Sequence, residues 1–360
     1  MTGTMTFAGL DVHARSTHAA AIDVLTGELR RARFGAGSDE VVIWLQGLPQ
    51  PVHACYEAGP TGFALYRAAA EAGVRVEVIA PSKTPRAPGD RIKSDRKDAE
   101  LLARLLLAGQ LTAVAVPTGE VEAARHLCRA REQVRSDLMR CRHRVSKLLL
   151  LHGRVYPEPT AWNARHRQWL SRQRFDEPAT ELAFLDTLAA VDGLVARKQT
   201  LDERLSRFAL EGPWWPTVAR LRCFRGIDTL TAFVLCLEIG DLHRFQRPAQ
   251  HASWLGLVPS LDQSGESRRQ GAITKTGSGY ARRLLVEASW HYLRQPRIGA
   301  TVANRQQGQP AHVLQIAWRA QHRLYRLHER LRARGKPRNV STVAVARELA
   351  CFLWAAATAD

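Results

Sequence analysis

The stretch at 93–100, KSDRKDAE, sets two aspartates three residues apart among charged neighbours. A helix opening at Asp95 advances 100° per residue, which puts Asp98, Ala99, Leu102 and Leu106 within about 60° of Asp95. Lys97, Glu100 and Arg104 fall on the other side. Both carboxylates therefore share the apolar stripe. Capping and the helix dipole account for one aspartate at a helix start, but not for two on the stripe that packs inward. Inward carboxylates need partners, and a divalent cation is the simplest. Asp11 interrupts an apolar strand, FAGLDVH, where aspartate is disfavoured. Glu57 closes a second apolar run, VHACYE, just before a Gly-Pro turn. Taken singly, Asp11 reads as a turn residue and Glu57 as a solvated strand end. Taken together, Asp11, Glu57, Asp95 and Asp98 could hold two Mg²⁺ (or Mn²⁺) ions about 4 Å apart, for in-line attack on a phosphodiester.

Such a site needs elements that bring distant residues together. MTFAGLDVH, THAAAIDVL and LRRARF read as three short strands in an antiparallel meander, with TGE as a turn. SDEVVIWLQGL reads as a helix with Ser38 or Asp39 as N-cap. PVHACYE is a fourth strand, PTGFALYRAAAEAG a helix, VRVEVIA a fifth strand, and PSKTPRAPGDRIK a basic, Pro-rich loop. The helix from Asp95 runs to about Ala108 and stops at Gly109. This order resembles the ribonuclease-H topology, in which the first and fourth strands are neighbours.

Beyond residue 118 the pattern turns helical. Val134, Leu138, Cys141, Val145 and Leu148 recur at coiled-coil spacing. A second helix over about 179–210 carries Leu182, Leu185, Leu188, Leu201, Leu205 and Phe208 on roughly one side. The two suggest an antiparallel hairpin or a dimerising arm. From about 217 onward the chain reads as helical with no convincing strand, and Pro259–Gly279 as a loop. The domains expected are 1–117, mixed α/β; 118–212, a helical arm; and 213–360, mainly α.

The formal net charge is +18 and the pI about 10.5, a balance that suggests a polyanionic partner. Thirteen Lys and Arg face three acids over Arg125–Arg174, and eight face one over Arg319–Arg338. The N-terminus lacks the basic-then-apolar pattern of a secretory signal, and purely apolar runs are too short to span a membrane. Six scattered cysteines without a Cys-x-x-Cys pair read as reduced thiols of a cytoplasmic protein.

At this point the chain resembles the DEDD transposases of insertion sequences, the group that includes the Piv-type DNA invertases. GLDVH, YEAGPTG and KSDRKDAELLARLL are similar to that family's RuvC-like nuclease half. RGIDTLTAFVLCLEIGDLHRF and LGLVPSLDQSG…RRQGAITKTGSGYARRLLVEA are similar to its C-terminal transposase half. The resemblance implies an RNase H (RuvC)-like α/β domain, a coiled-coil arm and a mainly α C-terminal domain. It also implies a nucleophilic serine after GLVP, which matches Ser264 here. Gly265 allows close backbone approach, but a free hydroxyl needs activation, and Ser260, Ser267 and Ser278 remain alternatives by spacing. A structured bridge RNA, donor and target DNA, and a tetramer built as a dimer of dimers are further implications. Arg96, Lys97, Arg268, Arg269, Lys275, Arg282 and Arg283 are the expected nucleic-acid contacts, with action at the bacterial nucleoid.

The leading expectation is thus a recombinase that cuts and rejoins DNA. A RuvC-like, structure-selective endonuclease without a covalent intermediate is the alternative. A non-catalytic nucleic-acid-binding protein is a third reading, against which the intact set of four acids speaks.

Overall fold

The computed structural model describes residues 5–85, 95–265 and 267–359, except for the Arg268 side chain. The chain divides into two units, Met1–Thr118 and Gly119–Asp360.

The first unit is built on a five-stranded mixed sheet: β1 (Thr6–Val12), β2 (Thr17–Asp23), β3 (Leu29–Phe34), β4 (Val52–Glu57) and β5 (Arg75–Ile79). Its order is β3-β2-β1-β4-β5, with β1–β2 and β2–β3 antiparallel and β1–β4 and β4–β5 parallel. A hairpin turn joins antiparallel neighbours, whereas parallel ones need a crossover helix. α1 (Ser38–Gln46) and α2 (Ala64–Glu71) supply those crossovers, and α3 (Asp95–Leu107) follows the sheet in sequence. This order is consistent with an RNase H-like domain. Gly37, not Ser38 or Asp39, occupies the N-cap of α1, without a side-chain hydrogen bond. Pro60 lies in the turn before α2 rather than in its first turn.

The central strands are apolar on both sides because both faces are covered. Leu10, Tyr56, Val41, Leu45 and Leu65 are buried on the face of α1 and α2. Cys55, Ile79, Leu102 and Leu106 are buried on the face of α3. β3, at the edge, carries Arg30, Arg31 and Arg33 and is largely exposed, a charge pattern that discourages edge-to-edge pairing.

The second unit is mainly helical. α4 (Gly119–Leu151), α5 (Ala164–Ser171) and α6 (Pro178–Glu211) are followed by α7 (Trp215–Leu221), α8 (Thr229–Ile239) and α9 (Pro248–Trp254). After a β-hairpin come α10 (Gly279–Ser289), α11 (Ala300–Gln306), α12 (Ala311–Ala333) and α13 (Arg338–Thr358). α4 and α6 run antiparallel: Cys128 near the start of α4 clusters with Leu205 and Ala209 near the end of α6. Leu138, Cys141, Val145 and Leu149 meet Phe184 and Val191. The same cluster ties Cys128, Leu205 and Ala209 to α8, α10, α12 and α13, so the base of the α4–α6 hairpin shares a core with the C-terminal helices, while its far end packs in a cluster of its own.

Two sequence expectations need correction here. The buried line of α6 is Phe184, Val191, Leu205 and Ala209, while Leu182, Leu185 and Phe208 are exposed. The sequence places enough leucines around α6 for either stripe, and packing against α4 selects this one. Nor is the C-terminal half free of strands. β6 (Pro259–Ser264) and β7 (Ser267–Ile273) form an antiparallel hairpin from what reads as a loop. Its residues are mostly exposed, so no apolar alternation announces it.

α13 alone among the described residues is long and apolar enough to cross a membrane. Val345, Ala346, Leu349, Ala350 and Leu353 lie in the main cluster, which makes it a core helix. All six cysteines are free, and five are buried.

Candidate metal centre and nucleic-acid interface

Strand register decides where the acids go. Leu10 pairs with Tyr56 across β1 and β4, and both point into the α1/α2 core. Side chains alternate along a strand, so Asp11 and Glu57, one residue further on, turn to the α3 face. α3 reaches that face closely because Gly9 has no side chain. A Cβ there would meet the Ala99 carbonyl, Ala103 N at 2.5 Å and Leu102 Cβ at 2.8 Å. Burial of Leu102 and Leu106 contributes roughly 1.5–3 kcal/mol each, more than the ~1 kcal/mol of an exposed ion pair, so packing fixes the helix. The Arg31–Glu100 ion pair, at 2.6 Å, adjusts it.

Asp11 is thereby brought to the first turn of α3. His13 Nε2 lies 3.0 Å from Asp11 Oδ2 and 3.7 Å from Asp95 Oδ1. His18, paired with Asp11 across β1 and β2, approaches Asp95 Oδ2 at 3.8 Å. Burial raises the Asp11 pKa above the usual carboxylate value; His13 opposes this, while the charges of Asp95 and Asp98 reinforce it. Glu57 accepts a 2.8 Å hydrogen bond from Thr84 Oγ1. Ligand atoms of Asp11, His13 and Asp95 lie within 4.8 Å of one another. Asp98 and Glu57 stand outside this trio, Asp98 near enough for its charge to act on Asp11.

The donor set fits a divalent cation. Carboxylates that crowd one another, one of them half-buried, gain from a shared positive charge. Asp95 is more open than its stripe position implies, with 48% of its side chain exposed. Glu100, expected on the outer side, is instead the more buried acid, with its side chain 16% exposed. Hydrogen bonding from Arg31 lowers its pKa, and the charges of Arg31, Arg96 and Arg104 act in the same direction. Sequence reasoning missed the two histidines; the signal was their position, His13 two residues after Asp11 and His18 at the start of the next strand.

Ser264 ends β6 at the tip of the hairpin, paired with Ser267 across Gly265, and is exposed. The hairpin base is tightly clasped. Thr274 N donates to Val258 O at 2.9 Å and Lys275 N to Gly256 O at 3.1 Å. A Cβ on Gly256 would meet Thr276 O at 2.5 Å. Arg282 donates to the carbonyls of Leu255, Thr276 and Gly277. Ser278 is engaged differently from Ser264. Its hydroxyl donates to Glu238 Oε2 at 2.9 Å and caps α10 by accepting from Ala281 N at 3.2 Å. Ser260 is exposed on β6, and Ser267 on β7.

Some basic residues are engaged within the protein and others stand exposed on its surface. Along α4, Arg129 reaches Glu238, Arg131 reaches Asp202 and Arg135 reaches Glu132, while Arg125 donates to the Leu237 carbonyl. Arg283 pairs with Glu132 and Glu287. Arg96 is exposed near Glu100, and Lys97, Arg269 and Lys275 are exposed as well. The side chain of Arg268 lies outside the described residues. On α12, Arg319, Arg323, Arg326 and Arg330 recur at four and three residues and are all exposed. That stripe extends about 17 Å along one helical face. Of the four, Arg323 pairs with Glu348.

Comparison with known proteins covers both units. A transposase family model of the DEDD type matches residues 8–153. The model described as the transposase IS116/IS110/IS902 family matches residues 218–303. The candidate transposase y4qE of Sinorhizobium fredii is 40% identical over 356 residues, 98% of this chain and 88% of its own length. The transposase for insertion sequence element IS1533 of Leptospira borgpetersenii is 31% identical, across 92% of this chain and 97% of that protein.

Proposed function

The chain belongs to the DEDD family of insertion-sequence transposases and is a DNA transposase; from that premise we propose that it cuts and rejoins strands through Ser264, with Asp11, Glu57, Asp95 and Asp98 as the metal-binding set. The observation that carries this reading is the convergence of Asp11 and Asp95, 84 positions apart in the sequence, at one end of the sheet. Family membership implies a divalent metal, Mg²⁺ or Mn²⁺ in this reading, with two ions per site. When bound, the ions supply Lewis-acid stabilisation of charge on the phosphoryl oxygens.

The protein's own groups have distinct tasks. The four carboxylates orient the scissile phosphate by fixing where positive charge sits. The Ser264 oxygen attacks phosphorus, its proton passing to solvent or to the departing sugar oxygen. The phosphodiester is replaced by a seryl phosphodiester, so bond energy is conserved. A free sugar hydroxyl of the second strand then attacks that phosphorus and releases Ser264. No water is consumed, which distinguishes rejoining from hydrolysis.

Partners follow from the charge distribution. The α12 arginine stripe, with Arg269 on the hairpin and Lys275 just after it, suits phosphate backbones of DNA and of a structured bridge RNA. A protein that holds helices by their backbone needs arginine more than base-reading side chains. Arg282 braces the hairpin base through backbone carbonyls, and Arg283 ties α10 to α4 through Glu132. Exposed Leu182, Leu185 and Phe208 on α6 suit a coiled-coil contact between copies, toward a dimer of dimers acting at the nucleoid.

The exposed hairpin serine, with no side-chain partner shown among the described residues, also favours examining a second reading: metal-dependent hydrolysis without a covalent step. Trapping the protein on radiolabelled element-end DNA, with its bridge RNA, separates the two. Wild type is expected to form a denaturant-stable adduct that Ser264→Ala abolishes while retaining DNA binding. Full recombination by Ser264→Ala would remove the serine from the reaction and leave a plain nuclease.

A further inference from the structure

His13 is neither a member of the four-acid set nor a buried structural histidine. Its side chain is 49% exposed, and it follows β1 at the turn into β2, where its backbone N donates to Ser16 O at 2.9 Å. Nε2 is directed between the Asp11 and Asp95 carboxylates, at 3.0 and 3.7 Å. A cation shared by two carboxylates would sit in that gap. The trio Asp11, His13 and Asp95 is the one compact ligand group found among the described residues. Glu57 and Asp98, which the family reading would place on the ions, lie outside it. The third donor nearest the shared position is therefore nitrogen, not oxygen.

We propose that His13 is a nitrogen ligand, through Nε2, of the divalent ion held by Asp11 and Asp95, and that the site consequently favours Mn²⁺ over Mg²⁺. The chemistry is one of donor type. Mg²⁺ prefers oxygen donors in a strict octahedron and gives up water reluctantly. An imidazole suits first-row transition ions better, and their affinity for a mixed nitrogen–oxygen set exceeds that of an alkaline-earth ion. His18 differs in its geometry. It contacts Asp95 at 3.8 Å, away from Asp11, so it steadies Asp95 from the outside. This inference rests on the metal-binding reading of Asp11 and Asp95 above.

The test uses the full chain without nucleic acid, titrated with Mn²⁺ and read by electron paramagnetic resonance. Electron spin-echo modulation from ¹⁴N then reports whether an imidazole is bound. Wild type is expected to show the ¹⁴N signal, His13→Gln to lose it, and His18→Gln to keep it. His13→Gln is further expected to weaken Mn²⁺ about tenfold or more, while Mg²⁺, measured by competition, changes by about twofold or less. Circular dichroism establishes that each variant is folded. Suppose Mn²⁺ binds wild type without ¹⁴N modulation, and Asp11→Asn and Asp95→Asn abolish that binding. The acidic site then stands and the role of His13 falls. A signal that survives His13→Gln and vanishes in His18→Gln also overturns the assignment. Binding that is absent from wild type, or indifferent to both aspartate variants, brings down the metal-site reading together with this one.

Discussion

Asp11 and Ser264 each stand near the end of a β-strand, yet their surroundings differ. Asp11 lies in the second-last position of a strand covered on both faces, and its neighbours come from β2, β4 and α3. Its position is over-determined: register, the Gly9 contact and buried leucines all converge on it. Ser264 lies at the tip of a two-stranded hairpin whose base is clasped and whose tip is exposed. Its local geometry is set by a turn at Gly265, φ 55°, and by little else. On the proposed reading, an acidic site set by packing would act on whatever phosphate is delivered to it, whereas an exposed serine would gain its surroundings only from its partners.

Steric pressure should separate the two regions most sharply. Gly9→Val thrusts a branched side chain into the backbone of α3, where a Cβ alone would lie 2.5 Å from Ala103 N. Overpacking against backbone should cost about 3 kcal/mol and displace Asp95 from Asp11. The expected result is a lowered urea midpoint for the N-terminal unit and lost Mn²⁺ binding. Gly265→Ala, which meets nothing within 4 Å, should cost only about 1 kcal/mol through its left-handed φ and leave Mn²⁺ binding intact. Equal effects of the two substitutions would erase the contrast.

Acid should move the C-terminal unit further than the N-terminal one, where burial also lowers the His53 pKa. His251 is buried, its Nδ1 3.1 Å from the Ala350 carbonyl, and burial drives its pKa down from 6.5 to about 4. The unfolded chain binds that proton first as pH falls. Stability is therefore full above pH 6.5 and is lost as pH falls from there toward about 4. Between pH 7 and pH 5 the loss should be on the order of 2 kcal/mol. In the N-terminal unit, Glu100 has a lowered pKa. Its contribution is present above 4.5 and fades only as pH falls through its still lower folded value. Urea denaturation at pH 7 and pH 5, followed by tryptophan fluorescence, should show the C-terminal transition moving and His251→Asn suppressing that movement. The N-terminal unit contains Trp44 alone among the tryptophans, so far-ultraviolet dichroism supplies its transition.

The smallest effect concerns the two serines. Ser278→Ala removes the N-cap of α10 and one partner of Glu238. It should cost about 1 kcal/mol in denaturant and still permit the covalent DNA adduct. Ser264→Ala should leave stability unchanged and remove the adduct. An exchange of these outcomes would transfer the nucleophile's role to Ser278.

Much of the N-terminal unit is legible in the sequence because its strands announce themselves. Apolar runs such as FAGLDV and VHACYE, punctuated by TGE and Gly-Pro, leave few alternatives. The helix at Asp95 is legible for the same reason. The hairpin at 259–273 is not: SLDQS and SRRQ are polar, nearly all exposed, and held by backbone bonds rather than by buried side chains. Periodicity cannot detect a strand that buries no face. The arginines of α4 teach a related lesson. Thirteen basic residues over 125–174 read as a surface for polyanions, but Arg125, Arg129, Arg131 and Arg135 are held within the protein by partners up to 113 residues away.

By itself, the sequence determined the sign of the protein's charge and the order of its N-terminal elements, and it singled out the acids at 11, 57, 95 and 98 as candidates for metal chemistry. Composition and short-range periodicity are local properties, and they survive in any fold. Tertiary structure alone decided that β1 and β4 pair in a register turning Asp11 and Glu57 toward α3, and that His13 enters between two carboxylates. It also decided which leucines of α6 are buried and which arginines are engaged by acids far away in the chain. Each of these depends on contacts between segments far apart along the chain, and a one-residue slip in strand register would reverse the face of every side chain involved.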